Sequence, residues 1–151
     1  MKKEETINVS PYVYPGLGFA KREVAKKGMP TREYHADQQK RKLEFIFKRV
    51  CKLTDVSADE LRSKWRKREV VQARQIFCYL STKYTECIYV DIGGMINRDH
   101  STVMHSCKIC QEVNDRPNSY PELFNKMYQI DEDIYECGLK VVNKKSRARK
   151  Y

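Results

Sequence analysis

Val90-Asp91-Ile92-Gly93-Gly94-Met95-Ile96-Asn97-Arg98-Asp99-His100-Ser101-Thr102-Val103-Met104-His105-Ser106-Cys107 reads as two helices joined by a tight turn. The first is short and contains a glycine pair. The second opens on polar residues and places Val103, Cys107 and Cys110 at i, i+4 and i+7, a buried helical stripe. Such a pair is the pattern of a helix-turn-helix. It needs Gly93 or Gly94 where the helices come too close for a Cβ. In this motif the second helix enters the DNA major groove with its N-terminal residues at the base edges. Arg98, Asp99, His100, Ser101 and Thr102 can donate to and accept from bases and phosphates.

Working outward, the apolar periodicity stays helical. From about Gln38, residues Leu43, Ile46, Phe47 and Val50 fall on one helix face. Ser57-Ala58-Asp59-Glu60 is a capping box, with Val56 and Leu61 placed for the matching hydrophobic staple. A helix from about Glu69 to Lys83 carries Ala73, Phe77, Leu80 and Tyr84 on one side. Downstream, Ser119 precedes Tyr120-Pro121-Glu122, with proline near a first turn, and Leu123, Met127, Ile130 and Ile134 form an apolar face. No strand pattern competes, so the fold expected is an all-α helix bundle. Three stretches are expected: an arm over 1–37, the domain over 38–137, and a basic tail over 138–151.

The charge is unevenly placed. The 151 residues hold 30 Lys and Arg against 20 Asp and Glu, a net charge of +10 that favours a polyanionic partner. Residues 41–69 carry ten basic and five acidic groups, including the block Lys64-Trp65-Arg66-Lys67-Arg68, whereas residues 70–113 are neutral. From Gly138 onward Lys140, Lys144, Lys145, Arg147, Arg149 and Lys150 face no acid, which suits a phosphate-binding arm. The first 37 residues are broken by Pro11, Pro15, Gly16, Gly18, Gly28 and Pro30, yet hold Tyr12, Val13, Tyr14, Leu17 and Phe19. They read as an arm packed on the domain surface, or as a docking segment for replication or regulatory proteins.

Several classes are disfavoured. No run is long and apolar enough to span a membrane, and Met1-Lys2-Lys3-Glu4-Glu5 lacks a signal peptide's apolar stretch, so a cytoplasmic, nucleoid-associated location is expected. The six cysteines then read as core residues rather than a disulfide framework. Cys107-Lys108-Ile109-Cys110 is a CxxC near His100 and His105, but structural zinc asks for four ligands that this helix does not bring together. Neither a metal nor any other cofactor is expected, nor is an enzyme.

The segment Arg98 to Cys107 closely resembles the R-D-H-S/T-T-V-x-H-A/S-C signature in the C-terminal DNA-binding domain, domain IV, of the bacterial replication initiator family DnaA. Ala73-Arg74-Gln75-Ile76 with Tyr79-Leu80 resembles the family's A-R-x-x-A-M-Y-L helix, and Asp91-Ile92-Gly93 its E-I-G. The resemblance covers roughly residues 40–135 and implies a Trp-repressor-like helix-turn-helix that binds a 9-base-pair DnaA box as a monomer. It also implies two contact surfaces. Arg66, with Lys64 and Arg68, matches a basic loop reaching the minor groove and backbone. Asp99, His100, Ser101 and Thr102 match the recognition-helix readers, with Arg98 and His105 at signature positions in or near the interface.

Three features depart from the family pattern. The turn is one residue shorter, Gln72-Ala73-Arg74-Gln75 replaces A-R-P-R-Q, and Trp65 sits inside the basic loop. There is also no G-x-x-x-x-G-K-S/T, hence no P-loop and no expectation of the initiator's ATP-dependent assembly. The function expected is sequence-specific binding of double-stranded DNA, as a replication accessory factor or transcriptional regulator of a bacterium, phage or mobile element. The alternatives are a protein-interaction adaptor and a basic RNA-binding protein.

Overall fold

The computed structural model describes residues 31–142. The Tyr12–Phe19 segment and the basic positions from Lys144 to Lys150 lie outside the described residues. The elements in order are α1 (Thr31–Thr54), α2 (Ala58–Arg62), α3 (Arg68–Tyr84), α4 (Tyr89–Met95), α5 (His100–Asp115), a 3-10 turn (Pro117–Ser119) and α6 (Pro121–Glu136). Among the described residues there is no strand, so the domain is all-helical.

Central to the bundle is α3, which packs against every other helix among the described residues. Ala73, Ile76, Phe77 and Leu80 are fully buried, and the Phe77 ring meets Phe47 of α1 edge to face with centroids 5.5 Å apart. Each such Ile, Leu or Phe contributes about 1.5–3 kcal/mol relative to exposure. The apolar faces read from periodicity on α1, α3 and α6 are the buried faces observed. Polar ties lock the helix pairs. Arg49 grips Asp133 through Nε at 2.7 Å and Nη2 at 2.6 Å, joining α1 to α6. Lys83 and the Tyr84 hydroxyl both donate to Asp131, joining α3 to α6. Burial first, and the Asp131 carboxylate second, push the Tyr84 phenol far above its ordinary value.

Local chemistry sets the helix ends. Asp55 adopts a left-handed φ of 58° after α1, and Val56 N–H closes that end on the Cys51 carbonyl at 3.2 Å. The capping box forms as its residues require: Glu60 N–H donates to Ser57 Oγ at 3.1 Å, and Ser57 N–H to Glu60 Oε2 at 2.9 Å.

Three boundaries differ from the periodicity reading. Helix α1 begins at Thr31, seven residues before Gln38 and inside the stretch read as an arm. Its first turns escape an apolar pattern because glutamines do the packing: Gln38 and Gln39 are buried, and Gln39 Oε1 accepts from Glu86 N–H at 2.8 Å. Helix α6 has Tyr120, not Ser119, at its N-cap and no side-chain cap; Pro121 opens it, and Ser119 closes the 3-10 turn before it. Past 137, Leu139 is buried and Val142 N–H donates to the Lys83 carbonyl at 2.9 Å, so chain beyond α6 still packs on the bundle.

Candidate nucleic-acid interface

The helix-turn-helix is α4, a four-residue turn and α5. Gly93 is the glycine that matters. A Cβ there would overlap the Arg98 carbonyl oxygen and press Val103 Cγ2 at 3.3 Å, whereas a Cβ on Gly94 would meet nothing within 4 Å. The turn closes on the Gly93 carbonyl, which accepts from Ile96 N–H at 3.1 Å and Arg98 N–H at 2.9 Å. Asn97 supplies the left-handed residue, φ 54°, that such a closure demands, a conformation asparagine tolerates.

At the start of α5, Asp99 is the N-cap. Its Oδ1 accepts from Thr102 N–H at 3.0 Å and Thr102 Oγ1 at 2.7 Å. The Thr102 hydroxyl, then its backbone N–H, hold the Asp99 carboxyl below its ordinary range. A depressed carboxyl stabilises the fold above the unfolded-state pKa and loses that contribution as pH falls through its folded value. The protection factor of the Thr102 amide, its exchange relative to the intrinsic rate at each pH, is therefore expected to fall only below the ordinary carboxylate range. In Asp99→Asn, whose amide oxygen still caps, that pH dependence should vanish. His100, Ser101, Thr102 and His105 are exposed; Val103 and Ser106 turn into the core.

The loop between α2 and α3 holds the basic block. Lys64, Trp65, Arg66, Lys67 and Arg68 are all exposed. Lys64 and Arg66 make no hydrogen bond or ion pair among the described residues. Arg68 instead pairs with Glu122 of α6 at 2.8 Å, an exposed bridge of small energetic weight.

Arg74 fixes this loop. It sits on the core face of α3, 7% exposed. Its Nε donates to the Leu61 carbonyl at 2.8 Å, Nη1 to the Trp65 carbonyl at 2.7 Å, and Nη2 to the carbonyls of Ser63 at 2.5 Å and Glu60 at 3.1 Å. A planar five-donor fork suits four converging carbonyls, and no other side chain offers it. Burial, then the like charge of Arg98, lowers the Arg74 guanidinium from its usual value.

Arg98 joins the loop to the turn. Its Nη2 donates to the Ser63 carbonyl at 2.6 Å and its Nη1 to the Asn97 carbonyl at 3.0 Å. Arg62 Nε reaches back to the Met95 carbonyl at 3.1 Å while its guanidinium lies 4.8 Å from the Phe47 ring centroid. The basic loop and the start of α5 are thus held in one fixed relation by Arg62, Arg74 and Arg98.

The sequence reading put Lys64, Arg66 and Arg68 on one contact surface and Asp99, His100, Ser101 and Thr102 on another; the structure leaves all seven exposed, the first three at the α2–α3 loop and the others at the start of α5. Arg98 and Arg68 carry structural partners in addition. Arg74 was seen only as part of a resembling helix. Its signal was the one arginine beyond the first residue of a helix whose buried positions are mostly apolar. The CxxC thiols turn inward: Cys107 Sγ contacts the Cys78 carbonyl at 3.5 Å and Cys110 Sγ the Gln75 carbonyl at 3.3 Å, both on α3. Burial pushes the Cys110 thiol up to about 12.

Residues 43–109 match the family described as the bacterial dnaA protein helix-turn-helix. The chromosomal replication initiator protein DnaA of Bacteroides thetaiotaomicron is 53% identical over 64 residues, covering 42% of this chain and 14% of that protein. That of Bacteroides fragilis is 48% identical over 60 residues, 39% of this chain and 13% of its own length. That of Flavobacterium psychrophilum is 42% identical over 67 residues, 44% and 14% respectively. The chain thus spans about one seventh of the length of the curated relatives it matches. The matched segment holds the second half of α1, the basic loop, α3, α4, the turn and the first ten residues of α5, while α6 lies beyond it. It is over residues 43–109 that this chain is similar to the bacterial DnaA helix-turn-helix family.

Proposed function

We propose that this protein binds double-stranded DNA at DnaA-box-like sites, acting by binding rather than catalysis. Its role is that of a replication accessory factor or transcriptional regulator in the cytoplasm of a bacterium, or of its phage or mobile element. The observation that carries this reading is the rigid pairing of two exposed surfaces. The polar start of α5 presents His100, Ser101 and Thr102, and beside it the clamped loop presents Lys64 and Arg66 without partners among the described residues.

The two surfaces do different work on this reading. His100 and Thr102 meet base edges in the major groove, Asp99 and Ser101 complete the polar first turn, and His105 follows one turn on. Lys64 and Arg66 meet phosphates and the adjacent minor groove. Arg98 and Arg68 contribute charge beside the DNA while holding the loop and α6.

Duplex titrations separate these roles. Lys64→Ala is expected to weaken boxed and scrambled duplexes by similar factors and to flatten log K against log salt by roughly 0.9. His100→Ala should instead lose about 1–3 kcal/mol of discrimination for the boxed duplex with the salt slope nearly unchanged. Equal affinity of the parent for boxed and scrambled duplexes at physiological salt would remove the sequence-specific reading.

A further inference from the structure

Trp65 is the single tryptophan of the chain, and it stands in an unusual place. It is 51% exposed, at the tip of a loop otherwise made of cations. Tryptophan is among the residue types most enriched at binding hot spots. Its backbone is fixed at both ends: its N–H donates to Ser63 Oγ at 3.2 Å and its carbonyl accepts from Arg74 Nη1 at 2.7 Å. The Lys67 ammonium lies 4.7 Å from the ring centroid, covering one face. The other face and the indole N–H have no partner among the described residues. Lys64 and Arg66 on either side, without partners among the described residues, attract a polyanion to this point.

We propose that Trp65 is itself a DNA-contact residue, lodging its indole against the minor-groove wall beside the site read by α5. The inference rests on the duplex-binding reading above. The chemistry matches the location. A minor groove at A·T pairs offers only acceptors, which an indole N–H can meet, and its deoxyribose walls offer apolar surface for the ring. Apolar side chains inserted there also favour steps that deform easily, so selectivity arises without a base-specific hydrogen bond. Lys67, stacked on the opposite ring face, brings its charge into the same groove.

Because the protein has one tryptophan, its emission reports on this residue alone. The full chain is titrated into a dye-labelled duplex that carries a DnaA box with A·T-rich flanks. Dye anisotropy and tryptophan emission are followed in the same cuvette, with acrylamide quenching measured at saturation. Expected are an emission change that tracks the anisotropy curve and a fall in acrylamide accessibility in the complex. Trp65→Ala should weaken the boxed duplex roughly tenfold and Trp65→Phe, which keeps a ring but lacks the N–H, by a smaller factor. Neither should alter the salt slope, because no charge is removed. Both variants should match the parent in helical circular dichroism, since the ring is exposed. Anisotropy showing binding while emission, acrylamide accessibility and the Trp65→Ala affinity all stay unchanged would overturn the tryptophan contact and leave the DNA reading standing. No anisotropy change with any duplex would overturn both.

Discussion

Arg74→Met should melt about 10 °C below the parent and lose boxed-duplex affinity beyond the loss in Lys64→Ala. Methionine keeps helix propensity and much of the apolar stem, so the change isolates the guanidinium. Four carbonyls lose this donor at once; that of Ser63 keeps Arg98 and that of Glu60 keeps the Ser63 N–H, while those of Leu61 and Trp65 lose their guanidinium partner outright. Water replaces part of that at the loop, which leaves about 3 kcal/mol of destabilisation. For a domain of this size that corresponds to the shift in melting temperature stated. Affinity falls because Ser63 is where Arg74 and Arg98 meet, and through it the loop is held to the turn. Arg74→Lys should rescue little, since one ammonium cannot reach carbonyls spread along a fork. Thermal melts together with duplex titrations check this. A variant melting within a degree or two of the parent would show that the loop does not depend on the clamp.

Gly93→Ala and Gly94→Ala form the second test, with opposite expectations for neighbouring glycines. At Gly93 the added methyl collides with the Arg98 carbonyl, a main-chain atom that can move only if the turn opens. About 3 kcal/mol of destabilisation is expected, and α5 should shift relative to the loop, so binding weakens too. At Gly94 the methyl meets open space on a helix, and the gain in helix propensity should stabilise by about 0.5–1 kcal/mol. Denaturant midpoints at a common m-value read both. Similar midpoints for the two variants would contradict the close approach at Gly93.

Much of this arrangement is written locally. Leu43, Ile46, Phe47 and Val50, or Leu123, Met127, Ile130 and Ile134, repeat at the helical period, and they bury the faces that period specifies. Ser57 with Glu60, and Asp99 with Thr102, cap within three residues, so their chemistry lies within one turn. Arg74 is different. Its acceptors lie nine to fourteen positions away on another element, and no local pattern says which arginine turns inward. The choice between Gly93 and Gly94 likewise depended on where the Arg98 carbonyl would come to rest. The first turns of α1 hid for a related reason: Gln39 is buried by a partner at Glu86, across the bundle.

Apart from a 3.4 Å contact to the Ser63 hydroxyl, the Arg74 clamp grips main-chain oxygens. Those oxygens are the one feature that residues 60, 61, 63 and 65 would keep under nearly any substitution. Shape and chemistry in the loop are therefore separable: the arginine dictates where the loop stands, and the side chains at 64, 65 and 66 dictate what it meets there. On the proposed reading, exchanging those three would alter which stretch of DNA is preferred without rebuilding the support. A binding surface supported in this way can be retuned one residue at a time, every intermediate remaining folded.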